Sequence, residues 1–311
     1  MILVTGGAGF IGSNLAKRLI ELGYNVRIID NLATGKRENI ASIAGEVDFI
    51  EGDITDLETL IKSMEGIDFV FHEAALPSVP RSIADPITSN DANIRGTLNV
   101  LIAARDKGAK RVVYASSSSV YGDAPELPKV EIMPSNPLSP YALTKYAGEK
   151  YCQLFYSLYG LETVCLRYFN VFGPHQDPSS QYAAVIPKFI TAMLKGEPIT
   201  IFGDGEQTRD FTYIDNVVDA NILAAFSERG IGEVFNIACS NRISIKGLAV
   251  FLRETIGTAS EIREVEPRRG EVRDSLAGIT KATNELGYEP KIDVYEGLRN
   301  CIEWYREKPI S

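Results

Sequence analysis

The opening stretch, "MILVTGGAGFIG" at residues 1–12, constrains the fold more than any other part of the sequence. An apolar run typical of a buried strand leads directly into Gly6, Gly9 and Gly12, and an amphipathic helix is predicted over about residues 10–22. Glycines at this spacing allow a tight turn, a close approach of the backbone to a pyrophosphate, and close packing of the helix. Because strand, glycine turn and helix occur together, a dinucleotide site is favoured over a purely structural turn.

The same alternation of strand and helix continues through the first two-thirds of the chain. Strands are predicted in "NVRIID", "VDFIEGDI", "IDFVFHEAA" and "RVVYASSS", with amphipathic helices such as "TLNVLIAARDKG" between them. Apolar strands joined by helices indicate a parallel sheet that is covered on both faces. The expected fold class is α/β, with a doubly wound parallel sheet of the Rossmann type and a smaller C-terminal α/β domain for the substrate.

The character of the sequence changes after "ETVCLRYFNVFGP", where Pro and Gly become frequent and the predicted elements become shorter. The segment "VFNIACS", at residues 234–240, is predicted to return to the sheet as a further core strand. A dinucleotide-binding domain is therefore expected over residues 1–168, with a contribution from about 211–238. The smaller domain is expected over residues 169–210 and 239–311.

Charge and composition exclude several classes of function. The 311-residue chain has a net charge of −9, so a general binder of nucleic acid or of a membrane surface is not expected. Its apolar runs are shorter than the ~20 residues of a membrane helix, and a strand predicted from Ile2 leaves no room for a signal peptide. With only two histidines, and with cysteines that lack paired spacing, no metal site is expected. The cysteines are expected to be the reduced thiols of a cytoplasmic protein. The cysteines are Cys152, Cys165, Cys239 and Cys301.

Asp30 ends the second predicted strand, where a carboxylate following a glycine turn can bond an adenosine ribose. Its charge would repel a 2′-phosphate, which favours NAD over NADP. Lys36 and Arg37 keep NADP open, because a basic residue nearby could accommodate that phosphate. Asp53 follows the third predicted strand, where it could line the adenine or cap the helix expected in "LETLIKS".

A second candidate site combines a tyrosine and a lysine with a run of four serines. Tyr141 and Lys145 are four residues apart in "PLSPYALTKYAGEKY", so on a helix they share one face. A free tyrosine titrates near ~10, and an ammonium and a nicotinamide cation would have to supply roughly 4 kcal/mol to lower its pKa to ~7. The serines of "VVYASSSSVYG" could simply form a solvated strand end. Alternatively Ser117, three residues before "VYG", could hold a substrate oxygen while Tyr141 takes its proton.

These motifs, together with "RYFNVFGP" and "FGDGEQTRDFTYIDNV", resemble the extended short-chain dehydrogenase/reductase family over nearly the whole length. Within that family the chain is most similar to the UDP-N-acetylglucosamine 4-epimerases of the UDP-glucose 4-epimerase group. The resemblance implies an isomerase that oxidises C4 of a UDP-linked hexose with tightly bound NAD and returns the hydride to the other face of the keto-sugar. It also implies a homodimer formed by the helices of "NIRGTLNVLIAARDKG" and "PYALTKYAGEKYCQLFYSLYG".

The resemblance also implies roles for single residues. Tyr141 would be the base, Lys145 its partner and a ribose ligand, and Ser117, or Ser118 beside it, the hydroxyl that shares the proton. Glu73 stands where the family has a neutral residue after "FH", and its role stays open. The implied cofactor-binding residues are Gly6, Gly9, Phe10, Ile11, Gly12, Asp30, Asn31, Asp53, Ile54, Tyr141, Lys145 and Phe169. The implied substrate-binding residues are Ser78, Ser117, Ser118, Tyr141, Asn170, Val185, Thr200, Arg209, Arg268 and Ser275.

Ser275, in "RRGEVRDSLAGI", corresponds to the position that faces C2 of the hexose, where a serine leaves room for an acetamido group. UDP-N-acetylglucosamine and UDP-N-acetylgalactosamine are therefore the expected pair, with UDP-glucose and UDP-galactose as further substrates. Sugar 4,6-dehydratases and UDP-glucuronate decarboxylases carry acidic residues where this chain has Ser118 and Ser119, which disfavours both. A non-catalytic NAD-binding protein would have no use for the tyrosine, the lysine and the serine together.

Overall fold

The computed structural model describes residues 1–178, 184–267 and 273–307. In chain order the strands are β1 (Ile2–Thr5), β2 (Val26–Asp30), β3 (Val47–Glu51), β4 (Phe69–His72), β5 (Arg111–Ser117), β6 (Glu162–Tyr168), β7 (Val171–Phe172), β8 (Ile199–Phe202), β9 (Thr208–Arg209), β10 (Thr212–Tyr213), β11 (Val234–Ile237), β12 (Ile243–Ser244) and β13 (Ile262–Val265). The helices are α1 (Phe10–Glu21), α2 (Leu57–Ser63), α3 (Val79–Ala84), α4 (Pro86–Asn90), α5 (Gly96–Asp106), α6 (Pro140–Tyr159), α7 (Val185–Leu194), α8 (Ile214–Phe226), α9 (Ile245–Ile256), α10 (Thr280–Leu286) and α11 (Val294–Glu307).

Seven strands form one sheet in the order β11-β6-β5-β4-β1-β2-β3, and neighbouring strands are parallel throughout. The chain first builds outward from β1 to β3, and then continues from β4 on the other side of β1. This arrangement confirms the predicted doubly wound sheet of the Rossmann type. In such sheets ligands bind at the carboxyl ends of the strands, where the strand order reverses, which here lies between β1 and β4.

The central strands are apolar because helices cover the sheet on both faces. All four residues of β1 are buried. On one face α1 buries Leu15 and Leu19 against the sheet beside α8. On the other face α5 and α6 bury side chains such as Val100 and Phe155 in a second apolar cluster. Rigid packing on both faces therefore holds the strand ends at fixed positions.

The strand register brings the ends of four strands to one edge of the sheet. Thr5, the last residue of β1, is paired with His72, the last residue of β4. Ser117 at the end of β5 is paired with Tyr168 at the end of β6. The residues that follow these four strands therefore start from the same edge, beside the glycine turn.

The second half of the chain returns to the sheet with β11, which pairs with β6 and confirms the strand predicted in "VFNIACS". Short two-stranded sheets combine β7 with β10, β8 with β13, and β9 with β12. Helices α7, α9 and α11 bury apolar side chains in the same cluster that lies under α1. The proposed division into two domains therefore stays a prediction. Within the three described ranges, no helix is both long and apolar enough to span a membrane.

Candidate active site

The glycine turn after β1 leaves no room for a side chain at Gly6 or Gly12. Gly6 has a φ of +67°, and a Cβ added there would lie 2.7 Å from the backbone of Ala74. A Cβ on Gly12 would lie 2.3 Å from the carbonyl oxygen of Gly6. Gly9 precedes α1 and places no side chain over the first N–H groups of the helix. The turn thus leaves the N-terminus of α1 open to a pyrophosphate, so these residues fit a dinucleotide.

Asp30 lies at the end of β2 next to this turn, and its carboxylate is buried. One carboxylate oxygen accepts a hydrogen bond from the N–H of Ala8 (2.9 Å) and the other from that of Leu32 (2.8 Å). Burial raises the pKa of Asp30, and the two backbone hydrogen bonds oppose this shift. A Cβ on Gly35 would lie 2.8 Å from both carboxylate oxygens. Asp30 is therefore held rigidly where the sequence predicts a ribose contact.

Lys36 and Arg37, the two basic residues that could accommodate the 2′-phosphate of NADP, both form ion pairs. Lys36 Nζ lies 2.9 Å from a carboxylate oxygen of Asp177. Arg37 pairs with Glu51 at 2.5 Å. Both cations are thus partly neutralised by carboxylates, which weakens the case for a 2′-phosphate at this position.

Asp53 follows β3 but does not cap α2, so the helix-cap interpretation is wrong. The N-cap of α2 is Asp56, which accepts hydrogen bonds from the first turn of the helix. Asp53 instead accepts hydrogen bonds from Asn31 Nδ2 (2.7 Å) and from the N–H and hydroxyl of Thr55 (2.8 and 2.7 Å). Although burial raises the pKa of Asp53, these hydrogen bonds lower it further than burial raises it. The adenine contact predicted for Asp53 and Asn31 stays a prediction.

Four apolar residues of the predicted cofactor site differ in exposure. Phe10 and Ile11 are partly exposed on the first turn of α1. Ile54 is 8% exposed, and a Cβ on the neighbouring helix at Gly96 would collide with it. Phe169 is 1% exposed and packs against protein rather than presenting a free ring face. A contact of the Phe169 side chain with a nicotinamide therefore stays a prediction that its burial does not favour.

Tyr141 and Lys145 lie on α6, which confirms the helix on which the prediction of a shared face depends. The N–H of Tyr141 donates to the hydroxyl of Ser82 (3.0 Å), which ties the start of α6 to α3. The Tyr141 hydroxyl lies close enough to Ser117, at the end of β5, for the serine side chain to lower its pKa. Lys145 Nζ donates to the carbonyl of Ala115 on the same strand (2.7 Å). The carboxyl end of β5 thus contacts both members of the pair.

Burial and the carboxylate of Glu73 shift the pKa values of both Tyr141 and Lys145. Burial raises the pKa of Tyr141, the hydrogen bond with Ser117 lowers it, and the carboxylate of Glu73 raises it. Burial lowers the pKa of Lys145 to about 8, although Glu73 raises it. Lys145 does not itself lower the pKa of Tyr141, because its ammonium is directed at the carbonyl of Ala115. The lowering expected from the ammonium and a nicotinamide cation together stays a prediction.

The four serines have different surroundings. The Ser116 hydroxyl is buried and donates to Glu149 (2.5 Å), which also accepts two hydrogen bonds from Arg167 at 2.8 Å each. Ser119 donates to the Ser117 hydroxyl through its own hydroxyl (2.9 Å) and its N–H (3.2 Å). The remaining serine, at 118, is partly exposed at the start of a 3₁₀ turn. Of the two serines proposed to share the proton, Ser117 is therefore the one bonded to the tyrosine.

Sequence reasoning missed Asn93, which supports α6 from behind the site. Asn93 is buried in a π-helical turn between α4 and α5. Its Nδ2 donates to the hydroxyl of Thr144 (3.1 Å), and its Oδ1 accepts from the N–H of Leu76 (2.8 Å). Single π turns are frequent at functional sites. Asn93 lies far in sequence from both the glycine turn and the Tyr141–Lys145 motif, so no sequence pattern pointed to it. Glu149, four residues after Lys145 on the same helix, could have been found from helical spacing.

Three of the predicted substrate residues lie close together. Asn170 has a φ of +37°, and its Nδ2 donates to the carbonyl of Asp210 (3.0 Å) and to the hydroxyl of Ser275 (3.4 Å). Arg209, on the neighbouring strand β9, donates to the carbonyl of Arg273 (2.9 Å). The segments around 170, 209 and 275 thus form one polar surface, which is the arrangement that a shared ligand requires.

The remaining predicted substrate residues are more widely spread. Ser78 has a φ of +105° and caps α3 by accepting from the N–H of Arg81 (3.3 Å). Val185 is the first residue of α7, and Thr200 is exposed on β8. Arg268 lies outside the described residues.

A doubly wound sheet with a glycine turn and a Tyr–Lys pair at its strand ends, whose lysine is buried, defines a class of dinucleotide-dependent enzymes. The chain belongs to the NAD dependent epimerase/dehydratase family, whose model matches residues 2–238. NAD is the cofactor of this family, and the glycine turn and Asp30 fit it.

Similar proteins include epimerases from several organisms. The UDP-glucose 4-epimerase of Mycolicibacterium smegmatis is 39% identical over 310 residues, which cover 98% of both chains. The UDP-glucose 4-epimerase of Thermotoga maritima, solved with UDP-glucose, matches with a TM-score of 0.94 at 41% identity and covers 98% of both chains. The UDP-N-acetylglucosamine 4-epimerase of Methanobrevibacter ruminantium, solved with UDP-N-acetylmuramic acid, has a TM-score of 0.94 at 41% identity, with 98% and 97% covered. A UDP-N-acetyl-alpha-D-glucosaminuronate decarboxylase of Bacillus cytotoxicus is 35% identical over 316 residues, 98% of each chain.

Proposed function

We propose that this enzyme is an isomerase, a UDP-sugar 4-epimerase that interconverts UDP-N-acetylglucosamine and UDP-N-acetylgalactosamine, and also UDP-glucose and UDP-galactose. The observation that carries the proposal is that Tyr141, Lys145 and Ser117 meet at the carboxyl end of β5. Lys145 Nζ donates to the carbonyl of Ala115 there, and Tyr141, one helical turn before Lys145, interacts with the side chain of Ser117. Similarity to epimerases solved with UDP-linked sugars supports the substrate class.

In this proposal Tyr141 exchanges a proton with the C4 oxygen of the sugar. The Ser117 hydroxyl, which interacts with Tyr141, would hold the same oxygen, so that the proton has a short path to the tyrosine. Lys145 supplies a positive charge close to the hydroxyls of Tyr141 and Ser117. When bound, NAD supplies the reversible acceptor for the hydride of C4. Burial raises the pKa of Tyr141 and so opposes the phenolate that accepts the proton in the first half-reaction. The positive charges of Lys145 and of a bound nicotinamide would have to offset this effect.

Epimerisation also needs a firmly held nucleotide and a sugar that can turn. A protein with a net charge of −9 needs local cations to hold a diphosphate. We assign this role to Arg209, whose guanidinium is oriented by the carbonyl of Arg273, and to Arg268. Asn170 would contact the sugar from the same surface.

The proposal is tested by product analysis with wild-type protein and a Tyr141→Phe variant. Wild type incubated with each UDP-sugar should give the C4 epimer by NMR, and loss of the proton acceptor should lower the rate by ~10²–10⁴-fold. Tyr156→Phe is the matched control, because Tyr156 is on the same helix but 41% exposed. Turnover of Tyr141→Phe within twofold of wild type would contradict the assignment. Loss of water or of carbon dioxide from the substrate would support a dehydratase or a decarboxylase instead.

The preference for acetylated sugars is tested at Ser275. This side chain is partly buried against Asn170, and a tyrosine would fill the space that we assign to the acetamido group. Overpacking of this kind costs about 1–3 kcal/mol, or about 5–150-fold in kcat/KM. Ser275→Tyr should therefore lower kcat/KM for the acetylated pair and largely spare the other pair, whereas Ser275→Ala keeps the space and the ratio. An unchanged ratio in Ser275→Tyr would remove the support for this specificity.

We also propose a homodimer formed by α5 and α6. These helices leave a shallow cavity of about 250 Å³ between them, lined mainly by apolar and aromatic side chains such as Ile102 and Leu154. Leu158, on the last turn of α6, is 65% exposed. An isologous pairing of two copies would cover this surface and bury the same residues twice.

The dimer is tested by light scattering at micromolar concentration. Wild type should give twice the 34.1 kDa mass of the chain, and Leu158→Glu should shift it toward the monomer by burying a charge. Ile132→Glu is the control, because Ile132 is 94% exposed in the loop before α6. A monomeric wild type would refute the proposal.

A further inference from the structure

Glu73 lies directly after β4, at the point where the strand order of the sheet reverses. Its N–H donates to the carbonyl of Thr5 (3.2 Å), which ends β1. A Cβ added to Gly6 would lie 3.1 Å from the carbonyl carbon of Glu73. Glu73 is therefore packed against the glycine turn, on the same edge of the sheet as the candidate active site.

The Glu73 carboxylate is connected to a buried chain of hydrogen bonds. The hydroxyl of Tyr168 lies 2.8 Å from Glu73 Oε1. The same hydroxyl lies 2.8 Å from Asn221 Nδ2 and 3.0 Å from Asn221 Oδ1. When Glu73 is ionised, Tyr168 can accept from Asn221 Nδ2 and donate to Glu73. When Glu73 is protonated, it can donate to Tyr168, which then donates to Asn221 Oδ1. Both charge states of Glu73 thus find hydrogen-bond partners without a change of fold.

Charged and titratable groups face Glu73 from α6 and β6. Tyr168 contacts it from β6. On α6, the Nζ of Lys145 is held at the carbonyl of Ala115 on β5, the strand that pairs with β4, and both Lys145 and Tyr141 are near enough for their charges to interact with Glu73. Burial raises the pKa of Glu73 to about 7, although Tyr168 and Lys145 lower it. His72, the neighbour on β4, is held neutral by burial and faces two threonines instead.

We propose that Glu73 is a positioning residue whose charge controls the Tyr141–Lys145 pair, with Tyr168 and Asn221 stabilising either of its protonation states. The proposal rests on the roles assigned to Tyr141 and Lys145 under the proposed function. Ionised Glu73 keeps the proton on Lys145 and opposes a phenolate on Tyr141. Protonated Glu73 removes both effects. The enzyme then changes the charge of its proton-transfer site close to neutral pH.

Glu73→Gln imitates the protonated state, because the amide is uncharged and its N–H can donate to the hydroxyl of Tyr168. Loss of the negative charge should lower the pKa of both Tyr141 and Lys145. The pH profile of kcat should therefore move to lower pH on both limbs, with a gain on the acid limb of up to tenfold for each pH unit moved. Tyr168→Phe removes a hydrogen bond that lowers the pKa of Glu73, so it should move the profile in the same direction.

The double variant, Glu73→Gln with Tyr168→Phe, distinguishes a positioning role of Glu73 from a purely structural one. If Tyr168 acts through the charge of Glu73, Tyr168→Phe should have no further effect on the profile of Glu73→Gln. A merely structural Glu73 would instead give a loss of rate at every pH, an unmoved profile and additive losses of stability. Either an unmoved profile in Glu73→Gln or an additional shift in the double variant would overturn the proposal.

A spectroscopic titration of the purified holoenzyme gives a readout that is independent of activity. The near-ultraviolet phenolate absorbance of wild type minus that of Tyr141→Phe reports the ionisation of Tyr141. In the Glu73→Gln background the same difference should titrate at lower pH, and an unchanged midpoint would contradict the coupling. This result stands apart from the proposed function, because that function is tested by the products of wild type and by the turnover of Tyr141→Phe, and not by the midpoint of the phenolate titration.

Discussion

His72 should make the fold sensitive to acid, and the structure determines by how much. His72 is 1% exposed between Thr5 and Thr97, whose hydroxyls lie 2.8 Å from Nδ1 and 2.9 Å from Nε2. The Thr97 hydroxyl donates its proton to the carbonyl of Asn93 (2.6 Å), so it must accept from Nε2 of His72. Nδ1 then accepts from Thr5. A proton added to Nδ1 would reverse this hydrogen bond and leave the hydroxyl hydrogen of Thr5 without its acceptor. The neutral imidazole is therefore part of the link between β1, β4 and α5.

The size of the loss of stability in acid follows from the lowered pKa of His72. Burial, with a smaller contribution from Lys145, lowers the pKa of His72 from 6.5 to about 3. Between these values the unfolded chain binds a proton that the folded protein does not bind, so the free energy of unfolding decreases as the pH falls from 6.5 towards 3. The slope approaches about 1.4 kcal/mol per pH unit, so acidification from 6.5 to 4.5 should cost about 2.3 kcal/mol at this one residue. Above pH 6.5 both states are neutral, and this contribution does not change.

The assay is urea unfolding of wild type and His72→Gln at a series of pH values. At pH 7 the variant should be less stable by about 1–3 kcal/mol, because it loses buried hydrogen bonds. Since glutamine does not titrate, this difference should shrink on acidification and approach zero or reverse near pH 4.5. His175→Gln is the control, because it removes the only other histidine and leaves His72 intact. A difference between wild type and His72→Gln that is constant from pH 7 to 4.5 would refute the reasoning.

Two further predictions concern the glycine turn and the buried ion pair behind the serines. Gly12→Ala should abolish retention of NAD through purification, because its Cβ would lie 2.3 Å from a backbone oxygen of the turn. Gly45→Ala, with open space around it, should retain the cofactor, and equal cofactor content in both would contradict the clash. Glu149→Gln should lower the free energy of unfolding by about 3–5 kcal/mol because it leaves the Arg167 guanidinium buried and unpaired. The exposed control Glu58→Gln should leave the urea midpoint unchanged, and a similar result for Glu149→Gln would refute the role of burial.

Much of the fold and the members of the candidate site could be predicted because their signals are local. The glycine turn needs only twelve consecutive residues, and the shared face of Tyr141 and Lys145 needs only helical periodicity. Central strands such as β1 and β4 were recognisable because strands buried on both faces are largely apolar. The choice between Asp53 and Asp56 as the cap of α2 could not be made in this way, because both positions precede the helix and only the backbone geometry separates them.

By itself the sequence determined that a dinucleotide turn, a Tyr–Lys pair and a polar strand end occur in one doubly wound fold. Only the tertiary structure decided that Ser117 meets Tyr141 while Ser116 is bonded to Glu149. It also decided that the pKa of Tyr141 is raised, and that Glu73 faces a lysine seventy-two positions further along the chain. The physical reason is that burial and Coulomb interactions depend on distances between segments remote in sequence, and those distances exist only once the strands have paired and the helices have packed.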